Sequence, residues 1–111
     1  ITPTKKPVKI PKFNTIGSID FTEENIRGIN MEWADAKKAC EALGEGWRLP
    51  TIDELKLLYK NLDFSKISKD TFWSSEESTD YARSLDFLNG EEDRRNKLFK
   101  FFVRAVRDTK K

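Results

Sequence analysis

An apolar stripe with helical spacing runs through the chain from about Met31 to Leu43. Apolar residues recur there every three or four positions, which places them on one face of a helix. Asn30 precedes the stripe and belongs to the residue types preferred at helix N-caps, so we expect it to cap this helix. The stripe consists of Trp33, Ala36, Cys40 and Leu43. The pattern predicts a first helix, with Cys40 as a small buried core residue rather than a reactive thiol.

A second amphipathic segment begins at Thr51. Thr51 and Glu54 have the spacing of a capping box, in which each side chain accepts a hydrogen bond from a backbone N–H group at the helix start. The apolar face that follows consists of Ile52, Leu55, Leu58, Tyr59 and Leu62. These features predict a second helix from about Ile52 to Leu62.

Short segments of alternating or continuous apolar residues outside the helices predict strands. The last of them carries apolar groups on both faces, which is typical of a central strand. We expect a turn at Asn89-Gly90 and a charged loop from Glu91 to Lys97. The predicted strands are Thr15–Phe21, Thr71–Ser74, Tyr81–Leu88 and Leu98–Val106. Strands segregated from helices along the chain indicate an α+β fold rather than an alternating α/β fold.

Length and composition fit one small domain. The chain has 111 residues, which is within the size range of a single domain. Residues 1–12 are rich in proline and lysine and are interpreted as a tail or linker, which leaves residues 13–111 for the domain. No apolar run approaches the length of a membrane span, which is about 18 residues.

The absence of histidine is the strongest functional statement that composition makes. It removes the commonest general base, the commonest metal ligand and every serine–histidine or cysteine–histidine pair. The single cysteine, Cys40, also excludes a disulfide within the chain. These absences disfavour an enzyme.

Several motifs follow one another in a specific order along the chain. They are residues 33–40 (WADAKKAC), 46–51 (GWRLPT) with Glu54-Leu55, 73–75 (WSS), 85–87 (LDF) with Asn89-Gly90, and 102–107 (FVRAVR). This ordered set resembles a bacterial family of domains, that of the C-terminal domain of the collagen-like adhesin Lcl, over about residues 15–108. The resemblance implies a C-type-lectin-like fold, related to that of the sulfatase-modifying enzymes, in which two helices pack on antiparallel sheets and the first and last strands pair. It also implies a domain of a larger surface or phage protein that binds glycans or proteins, and some members of the family form trimers.

The chain departs from the calcium-binding and enzymatic branches of this superfamily. The calcium-dependent lectins carry a Glu-Pro-Asn or Gln-Pro-Asp loop and a Trp-Asn-Asp strand, whereas Trp73 here is followed by two serines. The formylglycine-generating enzymes use a cysteine pair, and the related iron enzymes need histidines. The acidic clusters around residues 76–80 and 91–93 match no calcium-ligand spacing. We therefore expect no metal and no cofactor.

The candidate binding residues are polar and lie after Trp73. Cations in the predicted loop before the last strand could hold carboxylate or sulfate groups of a ligand, because binding residues collect on loops carried by a rigid sheet. The alternative is a charged loop that only keeps the surface polar. The candidates are Tyr81, Arg83, Asn89, Arg94, Arg95 and Lys97.

The favoured hypothesis is a non-enzymatic, calcium-independent domain that binds a glycan or protein, at the cell surface or on a phage particle. One alternative is a structural module that packs against copies of itself, for example as a homo-oligomeric trimer. The other is a nucleic-acid binder, because cations interleave with phenylalanines between Arg94 and Arg107. The alternation of those phenylalanines is that of core residues, which makes nucleic acid the less favoured partner. Cations also crowd both chain ends, so paired ends would give the domain one basic pole.

Overall fold

The computed structural model describes residues 12–44, 46–61 and 70–109, so most of the predicted tail lies outside the described residues. The described part has an α+β order, as predicted, with the two helices between an N-terminal hairpin and the remaining strands. The elements are β1 (Phe13–Ile16), β2 (Ile19–Thr22), a 3-10 turn (Ile26–Gly28), α1 (Trp33–Glu41), α2 (Ile52–Asn61), β3 (Thr71–Glu77), β4 (Tyr81–Asp86), β5 (Glu91–Asn96) and β6 (Val106–Asp108).

Two small antiparallel sheets divide these strands. The first has the order β1-β2-β6 and the second has the order β3-β4-β5. In the first sheet Asp20 on β2 lies opposite Arg107 on β6, so the early and late parts of the chain are joined side by side, as predicted. The prediction of one strand over Thr15–Phe21 was wrong. The chain turns at Gly17 and pairs Ile16 with Ile19, because glycine accepts the positive φ of 59° that this tight turn requires.

Helix α1 is confirmed, but its predicted cap was wrong. The N-cap position belongs to Glu32, which makes no side-chain capping hydrogen bond, and the helix begins at Trp33. Met31 and Phe101 exchange backbone hydrogen bonds with N···O distances of 2.9 and 3.1 Å. This bridge holds the chain extended next to Asn30, so the helix starts later than the local sequence indicates.

Helix α2 is confirmed together with its capping box. The Glu54 amide donates to the Thr51 hydroxyl (3.1 Å), and the Thr51 amide donates to the Glu54 carboxylate (2.8 Å). The Arg48 guanidinium donates to both oxygens of the same carboxylate, at 2.7 and 2.9 Å. Arg48 therefore holds an internal carboxylate and ties the segment before α2 to the first turn of that helix. The predicted last residue of the helix, Leu62, lies outside the described residues.

The core contains all three tryptophans. Trp33, Trp47 and Trp73 are at most 6% exposed and belong to the cluster that contains Cys40. The Trp33 indole N–H donates to the carbonyl of Ser74, and that of Trp73 donates to the carbonyl of Met31, both at 2.8 Å. A second cluster packs α2 against the two sheets. It contains Leu55 and Leu58 of the helix, Ile19, Phe21 and Val106 of the first sheet, and Phe72, Leu85 and Phe87 from the second sheet and the turn after β4. Trp33 lies in the core, as its place in the apolar stripe of the first helix predicts.

The predicted last strand, Leu98–Val106, is not a regular strand. Phe101 bridges Met31, Phe102 bridges Phe72, and Val106 bridges Arg48. The segment is central, as predicted, but it bridges three different neighbours in turn. Regular pairing, with β2, begins only at Val106 and continues to Asp108. Arg104 and Arg107 are buried in this segment, so these two cations do not contribute to a basic surface. Most of the other cations on which the predicted basic pole rests, at the two chain ends, lie outside the described residues.

The segment predicted as a charged loop, Glu91–Lys97, is mostly strand β5. Six consecutive pairs join β4 to β5, from Tyr81 opposite Asn96 to Asp86 opposite Glu91. Its residues are nearly all exposed, so the segment lacks the apolar alternation by which a strand is recognised in a sequence. The predicted turn at Asn89-Gly90 joins the two strands.

Candidate functional site

One face of the second sheet changes from buried to open along β4. Leu85 is fully buried beneath α2, whereas Tyr81 is 46% exposed and Arg83 is exposed on the same face. Directly opposite Arg83 on β5 lies Arg94. Cross-strand partners point to the same side of a sheet, so the two guanidinium groups and the Tyr81 ring share one open surface.

The two arginines on this surface have different surroundings. Arg83 lies 3.4 Å from a Glu76 carboxylate oxygen and 3.8 Å from a Glu92 carboxylate oxygen. Arg94 forms no ion pair with any other residue in the described part of the chain. The surface therefore carries one guanidinium whose five donors are available to a ligand.

These residues line an open groove of about 280 Å³, here called the β4–β5 groove. Its walls come from the end of β3 and from the two following strands. The lining residues are Glu76, Glu77, Ser78, Tyr81, Ala82, Arg83 and Arg94. A tyrosine ring offers an apolar face with a polar tip, and a guanidinium matches the geometry of carboxylate or sulfate oxygens. The groove can therefore hold an acidic group beside an apolar or sugar-like surface.

Glu76 fixes one wall of the groove and was missed by the sequence analysis. One of its oxygens accepts from the Ile52 amide at the start of α2 (2.7 Å), and the other faces Arg83. β3 continues to Glu77, beyond the predicted end at Ser74, and it carries a register shift between Trp73 and Glu77. The predicted strand ended before Glu76 and Glu77, and only a longer predicted strand would have placed this acidic pair next to Arg83.

Arg95 does not belong to this groove. It follows Arg94 on a strand, so its side chain lies on the opposite face of the sheet. There it pairs with Asp93 (2.7 Å), and its guanidinium carbon lies 5.9 Å from the centre of the Phe99 ring. The expectation that Arg94 and Arg95 form one loop cluster was wrong, because the backbone is a strand and not a loop.

Lys97 is built into the structure. Its ammonium donates to Glu77 (2.6 Å) and to the carbonyl of Thr79 (3.1 Å), and it lies 4.7 Å from the centre of the Trp33 ring. These contacts tie the chain just after β5 to the end of β3 and to α1. The side chain is 22% exposed, so we assign it a positioning role.

Asn89 lies at the other end of the β4–β5 hairpin. Its side-chain oxygen accepts from the Glu91 amide at 3.0 Å, which stabilises the turn. Of the six predicted binding residues, the structure thus brings together Tyr81, Arg83 and Arg94, and it places the other three elsewhere.

No group of three or more Cys, Asp or Glu side chains in the described ranges is arranged to hold a metal ion. The acidic run from residue 91 to residue 93 lies on β5, where successive side chains point to opposite faces. In the same part of the chain, neither helix is long and apolar enough to cross a membrane.

The phenylalanines that suggested nucleic-acid stacking are divided between core and surface. The Phe101 ring packs 4.8 Å from the Trp73 ring, and the Phe102 ring lies 6.4 Å from the Phe72 ring. Phe99 alone among the three has an exposed side chain, at 48%. The structure therefore offers no row of open rings between these cations for successive bases.

Comparison with protein families matches residues 14–107 to the family described as the Lcl C-terminal domain. Solved structures with the same fold include botrocetin, with a TM-score of 0.64 and 10% identity over 89% of this chain and 98% of that one. Botrocetin in complex with a mutant A1 domain of von Willebrand factor gives 0.64 at 11% identity, over 89% and 98% of the two chains. The snake venom toxin convulxin gives 0.62 at 12% identity, over 89% and 96%. The predicted C-type-lectin-like fold is confirmed.

One curated protein is also similar in sequence. It is a 6-carboxyhexanoate–CoA ligase of Aquifex aeolicus, which is 37% identical over 71 residues. The match covers 63% of this chain and spans only 28% of the length of that protein.

Proposed function

Since the chain belongs to the Lcl C-terminal domain family, we propose that it is a non-enzymatic recognition domain that binds acidic groups of a glycan or protein in the β4–β5 groove. The observation that carries this proposal is the position of Arg94. It is exposed, it lies directly opposite Arg83, and it has no carboxylate partner among the described residues.

Two cations opposite each other on neighbouring strands repel. Glu76 and Glu92 offset the charge of Arg83, but they leave that of Arg94. A carboxylate or sulfate group between the two guanidiniums would remove the repulsion and gain charge-assisted hydrogen bonds. The exposed Tyr81 ring lies on the same face and supplies contact area at a low cost in conformational entropy.

Absence of enzymatic chemistry is part of the proposal. The sequence contains no histidine. Burial raises the pKa of the Cys40 thiol to about 12, which leaves it protonated at neutral pH and a poor nucleophile. The Arg48 guanidinium donates to both oxygens of the Glu54 carboxylate, so these donors are not available to a substrate. We also propose that binding does not require calcium. The groove contains two arginines beside its two glutamates, and the positive charge of the arginines disfavours a bound calcium ion.

The acidic group could belong to a protein or to a glycan, and a solved structure with the same fold supports a protein ligand. The complex of botrocetin with the von Willebrand factor A1 domain shows that a protein of this fold, at 11% identity, takes a protein partner. An acidic glycan would present the same kind of ligand atoms as an acidic protein, namely the oxygens of a carboxylate or sulfate group. The corresponding location is outside the cell or on a phage particle, as part of a larger protein, and the sequence that flanks this domain tests it.

A binding panel with matched variants tests the function. The probes are sulfated and uronic-acid oligosaccharides, their neutral counterparts, acidic proteins, and single-stranded DNA, each with and without EDTA. Arg94→Ala should weaken binding of the acidic probe about tenfold or more, since a hydrogen bond to a charged group contributes about 1.5–3 kcal/mol. Arg95→Ala, which changes the opposite face, is the control and should change affinity less than about twofold.

The outcomes separate the alternatives. An acidic oligosaccharide that binds in EDTA and loses affinity in Arg94→Ala supports a glycan ligand, and the same pattern with a protein supports a protein ligand. Equal affinities for the two variants, or binding that EDTA abolishes, would contradict the proposal. Binding of DNA with a steep dependence on salt would favour the nucleic-acid alternative.

A further inference from the structure

β5 is an edge strand with one side open. It is last in the order β3-β4-β5, and its residues are nearly all exposed. The outer sides of β3 and β6 are engaged by the bridges from Phe72 to Phe102 and from Val106 to Arg48. β5 therefore presents the longest edge of the two sheets that no described segment bridges.

The hydrogen bonds of the hairpin define which backbone groups point outward. The Lys97 amide donates to the Asp80 carbonyl (2.9 Å) just beyond the last strand pair. Because antiparallel pairs alternate, residues 91, 93 and 95 direct their backbone groups to β4, and Glu92 and Arg94 direct theirs to the open side. The Arg94 amide agrees with this assignment, since it donates to the side chain of Asp93 (2.7 Å) and not to β4.

The sequence of β5 is complementary to itself in the antiparallel direction. It reads Glu91-Glu92-Asp93-Arg94-Arg95-Asn96, with acids in the first half and bases in the second. A two-fold axis perpendicular to the sheet at Asp93 would place Glu92 opposite Arg94 of a second copy, and Glu91 opposite its Arg95. Both contacts occur twice, so four pairs of opposite charge would surround one contact between the two Asp93 side chains.

Other pairings of the same edge are less favourable. An axis at Arg94 would place the two Arg94 side chains together, next to both Arg83 side chains, and would leave two pairs of opposite charge within β5, between Asp93 and Arg95 of the two copies. Parallel pairing in register would place acid against acid and base against base. Charged edge strands generally resist pairing. Of the three arrangements compared, the one centred on Asp93 joins the largest number of opposite charges.

We propose that β5 pairs with β5 of a second copy of this chain, antiparallel and centred on Asp93, to give a continuous six-stranded sheet. The outward groups of Glu92 and Arg94 would exchange four backbone hydrogen bonds across the axis. The Asp93 side chain would release the Arg94 amide and keep its pair with Arg95. The interface is small and its ion pairs are exposed, so association is weak and salt-sensitive, with a dissociation constant roughly between 10 µM and 1 mM.

The proposal does not rest on the ligand-binding function, although both involve Arg94. Pairing would give Arg94 the carboxylate of Glu92 from the second copy, so ligand and second copy would compete for it. The test therefore uses Glu91 and Arg95, which do not line the β4–β5 groove. A failure of this test leaves ligand binding by the monomer untouched.

Sedimentation velocity of charge-reversed variants provides the test. The wild type should dimerise at about 1 mM in low salt and dissociate in about 0.5 M salt. Glu91→Arg and Arg95→Glu should each weaken self-association about tenfold or more, because each places two like charges at both contacts. An equimolar mixture of the two variants should dimerise again, since each contact then joins opposite charges. Glu41→Arg, the same charge change on exposed α1, is the control and should behave as the wild type.

Thermal unfolding at low concentration checks that each variant is folded. A wild type that stays monomeric at about 1 mM would overturn the proposal. So would a mixture that stays monomeric although both variants are folded, or reversals that leave self-association unchanged. A stable trimer would overturn it as well, because a two-fold pairing of edges joins two copies only.

Discussion

The seam between β2 and β6 contains a buried ion pair whose removal should be costly. Asp20 is 3% exposed and accepts from the Arg107 guanidinium (3.0 Å) and from the hydroxyls of Thr15 (2.7 Å) and Thr109 (3.0 Å). Asp20→Asn keeps the shape but leaves the charge of Arg107 without its counter-ion. Breaking a buried pair from one side costs about 3–5 kcal/mol, and we expect the lower end, about 3 kcal/mol.

The lower end is expected because Arg107 keeps other contacts. Its guanidinium carbon lies 4.5 Å from the centre of the Trp47 ring and 4.8 Å from that of the Phe13 ring. These faces attract the cation but do not replace a carboxylate, and arginine cannot relieve the penalty by losing its proton. A side-chain exposure of only 10% prevents full hydration.

The cost should depend on pH with a definite sign. The hydrogen bond from Thr15, followed by those from Arg107 and Thr109, lowers the pKa of the Asp20 carboxyl despite its burial. A carboxyl whose folded pKa is depressed stabilises the protein above its unfolded pKa, about 3.9, and loses this contribution as the pH falls through the folded pKa. The difference between wild type and Asp20→Asn should therefore be largest at neutral pH and shrink in acid.

Urea unfolding of both proteins at neutral pH and at about pH 3 measures this difference. The control is Asp108→Asn on the paired strand, because Asp108 contacts Arg48 at 3.3 Å with a side chain that is 87% exposed. Its cost should stay within about 0.5 kcal/mol. Equal costs for the two substitutions, or an Asp20→Asn cost that does not fall in acid, would refute the reasoning.

Three further predictions concern α2, the hairpin turn and the thiol. Glu54→Gln should destabilise the fold by about 1–2 kcal/mol in urea unfolding, because the carboxylate both caps α2 and pairs with Arg48; Asp53→Asn, which changes only the dipole interaction, should cost less. Gly90→Ala should cost more than Gly17→Ala in thermal unfolding, since both have positive φ but the new Cβ at residue 90 would lie 2.7 Å from the Tyr59 ring, whereas nothing lies within 4 Å at residue 17; equal losses would contradict this. Cys40 should resist iodoacetamide at pH 8 and react once urea unfolds the protein, because burial raises its pKa to about 12.

Local interactions made the helices predictable. The capping box joins Thr51 to Glu54, and the carboxylate that Arg48 holds is six residues away in the chain. Contacts between residues so close in the chain can be predicted from a short stretch of sequence. The error at Asn30 has the opposite origin, since the start of α1 is decided by the bridge between Met31 and Phe101, which no local pattern reveals.

The same distinction explains why half of the candidate site was misplaced. Neighbouring cations were expected to act together, which holds on a loop but not on a strand, where Arg94 and Arg95 point to opposite faces. β5 buries no apolar side chain, so its strand character comes from pairing with β4 and not from its own hydrophobic pattern. For a strand of this kind, the order of the charged residues is the information that the sequence still provides. Three acids followed by two bases say nothing about burial, but they indicate which charges a neighbouring strand would need to carry. The pairing of β5 with a second copy follows from this order once the structure gives the direction and the register of β5.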